Sequence, residues 1–277
     1  MPESFGETLA ARIEAFGPLA VGVDPSARVL ADWGVSDDAD GAAYLGLTVI
    51  EAVAPHVPAI KIQVAFFERF GAAGFVALEH VMDAAREASL LVLADAKRGD
   101  IGSTNEAYAD AWLGDGPLGA HALTVSPYTG VGSLEPFVLR AQRAGRGLFV
   151  LAATSNPEGG AIQGARVESG RRVSDAVLEE LAARNARSDG RGVLGAVIGA
   201  TREVPQMDLA SLGGPVLVPG VGAQGAGASD VARLTRGCAR ASVLPSLSRA
   251  ILARGPSVAG LAAEARHWRD ELARELL

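Results

Sequence analysis

The sequence predicts a single α/β domain folded as a (β/α)8 TIM barrel. Eight short apolar runs rich in Val, Leu and Ile recur along the 277 residues, and helical patterns separate most neighbouring runs. No linker-like stretch divides the chain, so we assign residues 1–277 to one barrel domain with an additional helix at each end. A doubly wound open sheet is the runner-up.

The apolar runs are mostly continuous and do not alternate with polar residues, which is typical of strands covered on both faces of a parallel sheet. We predict strands over residues 19–23, 59–64, 90–95, 122–126, 147–153, 192–199, 215–219 and 241–245.

The segments between these runs mostly show helical periodicity. It predicts helices over residues 42–56, 74–88, 104–114, 132–145, 172–186 and 230–240, with an N-terminal amphipathic helix within 1–17 and a closing helix over 258–277. Segment 154–170 is polar and glycine-rich, which indicates either a mobile lid or a surface loop. We assign no role to segments 25–44 and 154–172.

The composition excludes several classes of function. A net charge of −7 argues against a nucleic-acid-binding surface. The single cysteine, Cys238, cannot form an intrachain disulfide and is interpreted as a helix residue. The N-terminus lacks the pattern of a signal peptide, and no run approaches about 18 apolar residues. We therefore expect a cytoplasmic protein that does not bind membranes.

Lysine is nearly absent from the chain. Of 25 lysines and arginines, only Lys61 and Lys97 are lysine, and each lies near the C-terminal end of a predicted strand. Arginine replaces lysine at most solvated positions, but its guanidinium does not give up a proton as an ammonium does. Two lysines retained at two strand ends therefore indicate chemistry more than chance.

Acidic residues accompany both lysines. Asp95, Lys97 and Asp100 lie in the stretch DAKRGD, and residues two apart in a strand face the same way. Lys61 and Asp24 end the two preceding predicted strands. We expect these five charged groups to meet at the C-terminal rim of the barrel, where barrel enzymes place their active sites. A purely structural ion-pair network is the alternative.

A glycine-rich segment near the C-terminus predicts a phosphate site. PGVGAQGAG (219–227) follows the seventh predicted strand, and its glycines let backbone N–H groups approach an anion, as does the helix N-terminus that follows. Gln224 and, after the eighth strand, Arg249 supply further donors. GVGAQG also matches the dinucleotide fingerprint, but no acidic residue ends the next strand, so we favour a phosphate monoester. A turn without a ligand is the remaining interpretation.

Other common chemistries have little support. The four histidines, His56, His80, His121 and His267, are scattered without metal-ligand spacing, and no G-x-S-x-G motif is present. The sequence therefore argues against a zinc enzyme and a serine hydrolase.

Together these motifs resemble the orotidine 5′-phosphate decarboxylase family. The resemblance rests on D-x-K-x-x-D-I at 95–101, an upstream strand-end lysine, PGVGAQG and a late S-x-S-R. VAFFERFG (64–71), TVSPYTG (124–130) and LAATSNPEG (151–159) are similar to the longer bacterial subgroup, type 2. The resemblance covers essentially the whole chain, although the stretch after Asp24 is longer than in compact members.

The resemblance implies a homodimeric carboxy-lyase of pyrimidine biosynthesis that converts orotidine 5′-phosphate to uridine 5′-phosphate and CO2 without metal or organic cofactor. It implies that Lys97 protonates C6, that Asp95 lies close to the departing carboxylate, and that Lys61 bridges the carboxylates and the ribose. Among the other implied site residues, Asp24 binds the ribose, Ser155 binds the pyrimidine, and the phosphate is bound by Gly220, Gly222, Gln224 and Arg249. The resemblance also implies that the partner subunit's Asp100, Ile101 and Thr104 complete the shared site.

Three alternatives remain open from the residues. One is a related barrel decarboxylase that acts on a sugar phosphate with Mg²⁺. Another is an aldolase that forms an imine through Lys61 or Lys97, which neighbouring carboxylates disfavour because they keep the amines protonated. The third is a non-catalytic protein that binds a phosphate ligand, which has no evident need for the charged groups around Asp95.

Overall fold

Eight parallel strands form a closed barrel in chain order. A computed structural model describes residues 3–187, 192–200, 207–222 and 225–277. Each strand pairs with the next, and β8 pairs with β1. The predicted (β/α)8 class is confirmed, and the open-sheet alternative is wrong. The strands are β1 (Ala20–Val23), β2 (Ala59–Gln63), β3 (Leu91–Arg98), β4 (Ala122–Val125), β5 (Gly147–Ala153), β6 (Leu194–Ile198), β7 (Val216–Pro219) and β8 (Val243–Leu247).

Helices cover the outside of the barrel and one of its ends. None of those in the described ranges is long and apolar enough to cross a membrane. The α-helices of these ranges are α1 (Phe5–Phe16), α2 (Ala27–Trp33), α3 (Ala39–Val53), α4 (Ala65–Glu68), α5 (Gly71–Glu87), α6 (Gly102–Leu113), α7 (Glu135–Ala144), α8 (Gly160–Gln163), α9 (Val173–Asn185), α10 (Ala228–Leu234), α11 (Arg249–Leu252) and α12 (Val258–Leu276). Single 3₁₀ turns lie at Val131–Leu134, Pro157–Gly159 and Ala210–Leu212.

Helix α1 closes the N-terminal end of the barrel. Ser4 and Glu7 form a capping box that starts the helix. The Phe5 ring packs edge-on against Phe149 inside the barrel, with centroids 6.0 Å apart. Any side chain at Gly147 would collide with the Phe5 ring. The opposite, C-terminal end of the strands is therefore the end left for a ligand.

The helix predicted over 230–240 is shorter than expected, and the assignment of Cys238 to a helix is wrong. Helix α10 ends at Leu234, and Gly237 takes a positive φ of 87°, which a continuing helix does not allow. Cys238 lies just after the turn that follows the helix. Burial, with a smaller contribution from Asp208, raises the pKa of its thiol to about 11, so the thiolate is scarce at neutral pH.

Segment 25–44 contains a helix that the sequence analysis missed. Ser26 caps the start of α2, and Gly34 ends it in the left-handed conformation. The buried Trp33 indole donates a hydrogen bond to the carbonyl of Leu252 at 2.8 Å. Because Leu252 ends α11, which begins at Arg249, this extra segment supports the helix that carries the predicted phosphate ligand.

His121, a partly buried histidine, is expected to make the stability of the barrel depend on pH. Its Nδ1 accepts a hydrogen bond from the Val92 backbone N–H at 3.0 Å. Burial, and then the nearby Arg146, Arg86 and Arg12, lower the pKa of His121 from 6.5 to about 4. Because the unfolded chain takes up this proton at higher pH, the stabilisation is present above the unfolded pKa and is lost as pH falls through the folded pKa.

We expect the contribution of His121 to the free energy of unfolding to fall by about 2 kcal/mol between about pH 7 and about pH 5. Denaturant titrations of the wild type and of His121→Asn measure the effect, since asparagine keeps an acceptor but does not titrate. The variant controls for carboxylates that titrate in the same range. Equal pH dependence in both proteins would show that His121 does not cause it.

Candidate active site

Four charged side chains meet at the C-terminal ends of the first three strands. Asp24 directly follows β1, Lys61 lies in β2, and Asp95 and Lys97 lie near the end of β3. We call these four residues the charge cluster. Register pairs Lys61 with Gly22 of β1 and with Leu93 of β3. The sequence prediction that both lysines reach one rim is confirmed.

Asp95 is the centre of the charge cluster. Its Oδ2 lies 2.9 Å from Nζ of Lys61, and its Oδ1 lies 2.6 Å from Nζ of Lys97. Lys61 also lies 3.9 Å from Oδ1 of Asp24. The two ammonium groups differ in exposure: the Lys61 side chain is 7% exposed, whereas that of Lys97 is 44% exposed. Lys97 is thus the cation that a bound ligand can reach.

Burial and charge act in opposite directions on these groups. Burial alone lowers the pKa of Lys61, but attraction by Asp95 and Asp24 outweighs it, so the net pKa is raised. Burial alone raises the pKa of Asp95, but the two lysines outweigh it and hold that pKa well below its usual range. At neutral pH Lys61 is therefore an ammonium and Asp95 a carboxylate.

Lys97 reaches Asp95 through a distorted backbone. It has a φ of 49°, in the left-handed region that lysine rarely adopts. From Ala94 to Arg98 β3 advances four residues while its partner β4 advances only two, from Leu123 to Val125. The prediction that Asp95 and Lys97 point the same way is confirmed, but simple strand alternation is the wrong reason, because a bulge re-aims Lys97.

Arg98 anchors the far side of this bulge. Its guanidinium pairs with Glu68 of α4 and lies 5.6 Å from the ring centroid of Tyr108 and 5.4 Å from that of Trp112, both in α6. The backbone carbonyl of Arg98 accepts a hydrogen bond from Ser126 N–H at 2.8 Å. The side-chain contacts of Arg98 and its backbone bond to Ser126 therefore hold the end of the bulge in place.

Asp100 follows the charge cluster along the chain, and its convergence with those four charges stays a prediction. Among the ion pairs of the described residues, none involves Asp100. Its Oδ1 accepts from the backbone N–H of Ile101, and its own N–H donates to Asn105. The chain turns into α6 here, and Ile101 and Thr104 are exposed.

The glycine-rich loop and Arg249 lie together, as predicted. Gly220, Gly222 and Gly225 take φ values of 94°, 77° and 85°, which only glycine adopts without strain. A Cβ placed on Gly222 would lie 3.4 Å from that of Ala250, the residue after Arg249. Arg249 is exposed at the start of α11. The prediction for Gln224 falls outside the described residues.

One of the chain's own carboxylates lies at the start of the helix after this loop. The backbone N–H of Gly227 donates to Oδ2 of Asp230 at 2.9 Å, so the chain's own carboxylate occupies the start of α10. This bond uses the N–H of Gly227, and the contribution of the helix N-terminus to anion binding stays a prediction. The loop glycines and Arg249 remain as the donors for a phosphate.

Ser155 lies two residues after β5, at the same rim. Gly199, just after β6, packs against it so closely that a Cβ there would lie 2.7 Å from Ser155 N. The following segment contains a 3₁₀ turn and the short helix α8, whose Gln163 bonds to the backbone N–H and to the hydroxyl of Thr154. This contact fixes the backbone that carries Ser155.

Sequence reasoning missed three polar residues at the site. The Gln63 side chain accepts from Lys61 at 3.4 Å, and the Thr124 hydroxyl bonds to Asp95 at 2.9 Å. The Ser248 hydroxyl, beside Arg249, is buried without a hydrogen-bond partner in the described ranges. The sequence carried a signal for Gln63, because residues two apart in a strand face the same way and Gln63 lies two residues after Lys61. Thr124 is the one polar residue within β4.

Asp24 also has unused bonding capacity. Its Oδ1 is buried and, within the part of the chain that the structure describes, has no hydrogen-bond partner. Buried carboxylate oxygens are normally hydrogen-bonded, so this atom fits a ligand that donates to it. No group of three or more His, Cys, Asp or Glu side chains in those same ranges is arranged to hold a metal ion.

Phosphate-binding (β/α)8 enzymes hold the anion at the loops after strands seven and eight and work at the C-terminal rim. This chain carries its glycine loop after β7, its arginine after β8 and its charge cluster at that rim, which places it in that class. It belongs to the Orotidine 5′-phosphate decarboxylase / HUMPS family, whose model matches residues 18–263.

Relatives support this assignment across the whole chain. The orotidine 5′-phosphate decarboxylase of Streptomyces coelicolor is 48% identical over 98% of this chain and 97% of its own. A crystal structure from Streptomyces avermitilis with the same family name superposes with a TM-score of 0.93 at 48% identity, covering 99% and 96% of the two chains. Leishmania donovani OMP decarboxylase has a TM-score of 0.77 at 32% identity, with 98% and 99% covered.

Proposed function

We infer that this chain decarboxylates orotidine 5′-phosphate to uridine 5′-phosphate and CO2, a step of pyrimidine biosynthesis. The observation that carries this function is Asp95 held between the ammonium groups of Lys61 and Lys97. The names of the near-full-length relatives agree with it. A protein that only bound a phosphate ligand would have no use for this buried arrangement.

The reaction explains why lysine is needed. When the bond from C6 to the carboxylate breaks, both electrons stay on C6, in the plane of the ring, where ring resonance cannot spread them. Stabilisation must come from fixed charge and from timely protonation. The Lys97 ammonium supplies both: it attracts the electron pair and then gives C6 its proton, while CO2 departs. Because Lys97 is 44% exposed, it can recover that proton from solvent.

Asp95 and Lys61 fix the position of that ammonium. The Asp95 carboxylate stands close to the substrate carboxylate and repels it, and the repulsion disappears as CO2 leaves. Lys61 pairs with Asp95 and Asp24, and this attraction offsets part of the desolvation free energy of the buried charges. Oδ1 of Asp24, which has no hydrogen-bond partner among the described residues, accepts from a ribose hydroxyl. Ser155 bonds to the pyrimidine.

The phosphate is bound far from the reacting carbon. Backbone N–H groups of the loop that contains Gly220 and Gly222 hold it with the Arg249 guanidinium and the Gln224 amide. Binding energy gained there orders the loop and the charge cluster before the bond breaks, so it assists the chemical step.

Direct assay tests this function. The absorbance of orotidine 5′-phosphate is followed as it is converted, with uridine 5′-phosphate identified as product. EDTA is present, because we propose that the reaction needs no metal. Conversion that stops with EDTA and returns with Mg²⁺ would favour a metal-dependent decarboxylase instead. Trapping of an imine by borohydride would favour the aldolase.

We also propose a homodimer that shares its active sites. Asp100 forms no ion pair with its own Lys97 in the described residues, and Ile101, the next residue, is exposed. The Thr129 hydroxyl donates to the Asp100 carbonyl, and the neighbouring Tyr128 is 81% exposed. Large exposed apolar side chains of this kind mark contact surfaces. The partner subunit's Asp100, Ile101 and Thr104 complete each site.

Mixing two inactive variants tests the shared site. A mixed dimer of Lys97→Ala and Asp100→Ala has one site with both native residues and one with neither. Random mixing is expected to restore about one quarter of the sites. Refolded mixtures are assayed beside each variant refolded alone. Mixed dimers that form, as shown by mass or by a tag, and yet stay inactive would contradict a shared site.

A further inference from the structure

One buried hydroxyl contacts both halves of the catalytic pair. Thr124 lies in β4 and is 1% exposed. Its Oγ1 accepts a hydrogen bond from the backbone N–H of Lys97 at 3.0 Å and donates one to Oδ1 of Asp95 at 2.9 Å. The hydroxyl therefore links the backbone of one residue to the carboxylate of the other.

The first of these bonds supports an unfavourable conformation. Lys97 has a φ of 49°, which places its Cβ close to its own backbone, and only a surrounding structure that demands it keeps such a residue in place. The bulge takes Lys97 out of register with β4, so its N–H has no strand acceptor there. The Thr124 hydroxyl takes the place of that acceptor.

The second bond fixes the carboxylate. Oδ1 of Asp95 receives the Thr124 hydroxyl and the Lys97 ammonium, whereas Oδ2 receives Lys61. With three donors on two oxygens, the Asp95 group has one defined orientation. Loss of the hydroxyl would let the carboxylate rotate towards Lys61 alone.

We propose that Thr124 is a positioning residue, which holds the Lys97 ammonium and the Asp95 carboxylate in the geometry that protonation requires. This inference rests on the proposed decarboxylation. Thr124 acts through Lys97 and Asp95, so its loss should affect the chemical step and leave ground-state binding of the nucleotide unchanged.

The test replaces the hydroxyl without changing the shape of the side chain. Thr124→Val has the size of threonine but neither donates nor accepts. We expect kcat to fall by about 10- to 100-fold, with KM and uridine 5′-phosphate affinity as in the wild type. Thr124→Ser keeps the hydroxyl and should recover most of kcat.

Thr48→Val is the matched control. Thr48 is a buried threonine in α3, and its hydroxyl donates to the carbonyl of Tyr44 at 2.8 Å, away from the charge cluster. Its kcat should equal that of the wild type. If Thr124→Val does not fold, Thr124→Cys replaces it, since a thiol is a weak donor and acceptor, and the same fall in kcat is expected.

The outcomes separate this inference from the proposed function. Wild-type protein that does not convert orotidine 5′-phosphate contradicts the function itself. With an active wild type, an unchanged kcat in the valine or cysteine variant overturns the role of Thr124 alone. A serine variant as slow as the valine variant would overturn it as well, because shape and not the hydroxyl would then matter.

Discussion

Turnover of orotidine 5′-phosphate is expected to fall by about 10⁴-fold or more in Lys97→Ala, because general-acid catalysis and electrostatic stabilisation are lost together. Binding of uridine 5′-phosphate should stay measurable, since Asp24, Ser155 and the phosphate loop are untouched. Steady-state kinetics and a nucleotide titration measure the two effects. A variant that retains wild-type activity would reject Lys97 as the proton donor.

Lys97→Arg separates the two contributions of this residue. Arginine keeps the positive charge beside Asp95 but does not release its proton. We expect this variant to bind nucleotide and to remain inactive or nearly so. Recovery of wild-type turnover with arginine would mean that charge alone suffices, and the proton would have to come from another donor.

Asp95→Asn is expected to damage both stability and turnover. The Lys61 ammonium, 7% exposed, would lose its partner at 2.9 Å and keep only Asp24 at 3.9 Å. Removing one member of a buried ion pair costs about 3–5 kcal/mol of unfolding free energy. Attraction by Asp95 is also the largest charge effect that raises the pKa of Lys61. The pKa of Lys61 should therefore fall in the variant. Turnover should decrease by about 10³-fold as the field at Lys97 changes.

The control for this change is Asp32→Asn. Asp32 also pairs with a cation, Arg28 in α2, but at 3.8 Å and with both side chains largely exposed. Exposed pairs of this kind contribute about 0–1 kcal/mol, so denaturation and kinetics should match the wild type. Equal stability of the Asp95 and Asp32 variants would show that the charge cluster is not a buried network.

The barrel could be predicted because its strands carry a local signal. Runs such as AIKIQV and LLVLAD are continuous and apolar since both faces of each strand are covered, and all eight predicted strands are present with small shifts in their ends. The lysines could be predicted for a different reason: arginine is used almost everywhere else, so Lys61 and Lys97 stood out by residue type.

The details at single residues could not be predicted. The left-handed conformation of Lys97 depends on an acceptor in another strand, Thr124, and no local pattern encodes it. The hydrogen bonds of Asp100 with Ile101 and Asn105 depend on the turn into α6, and a count of charges along the chain cannot give them. The helix end before Cys238 depends on one glycine conformation, at Gly237. Such features follow from tertiary contacts that override local pattern.

The central claim is that the charge cluster stabilises an electron pair on C6 and that Lys97 protonates it. The same step in reverse removes the C6 hydrogen of uridine 5′-phosphate, so the protein should exchange that hydrogen with solvent deuterium. Proton NMR of uridine 5′-phosphate in D2O measures this directly, with Lys97→Ala beside the wild type. We predict loss of the C6 signal with the wild type only. Equal exchange in both proteins, or none with a wild type that decarboxylates orotidine 5′-phosphate, would contradict the claim.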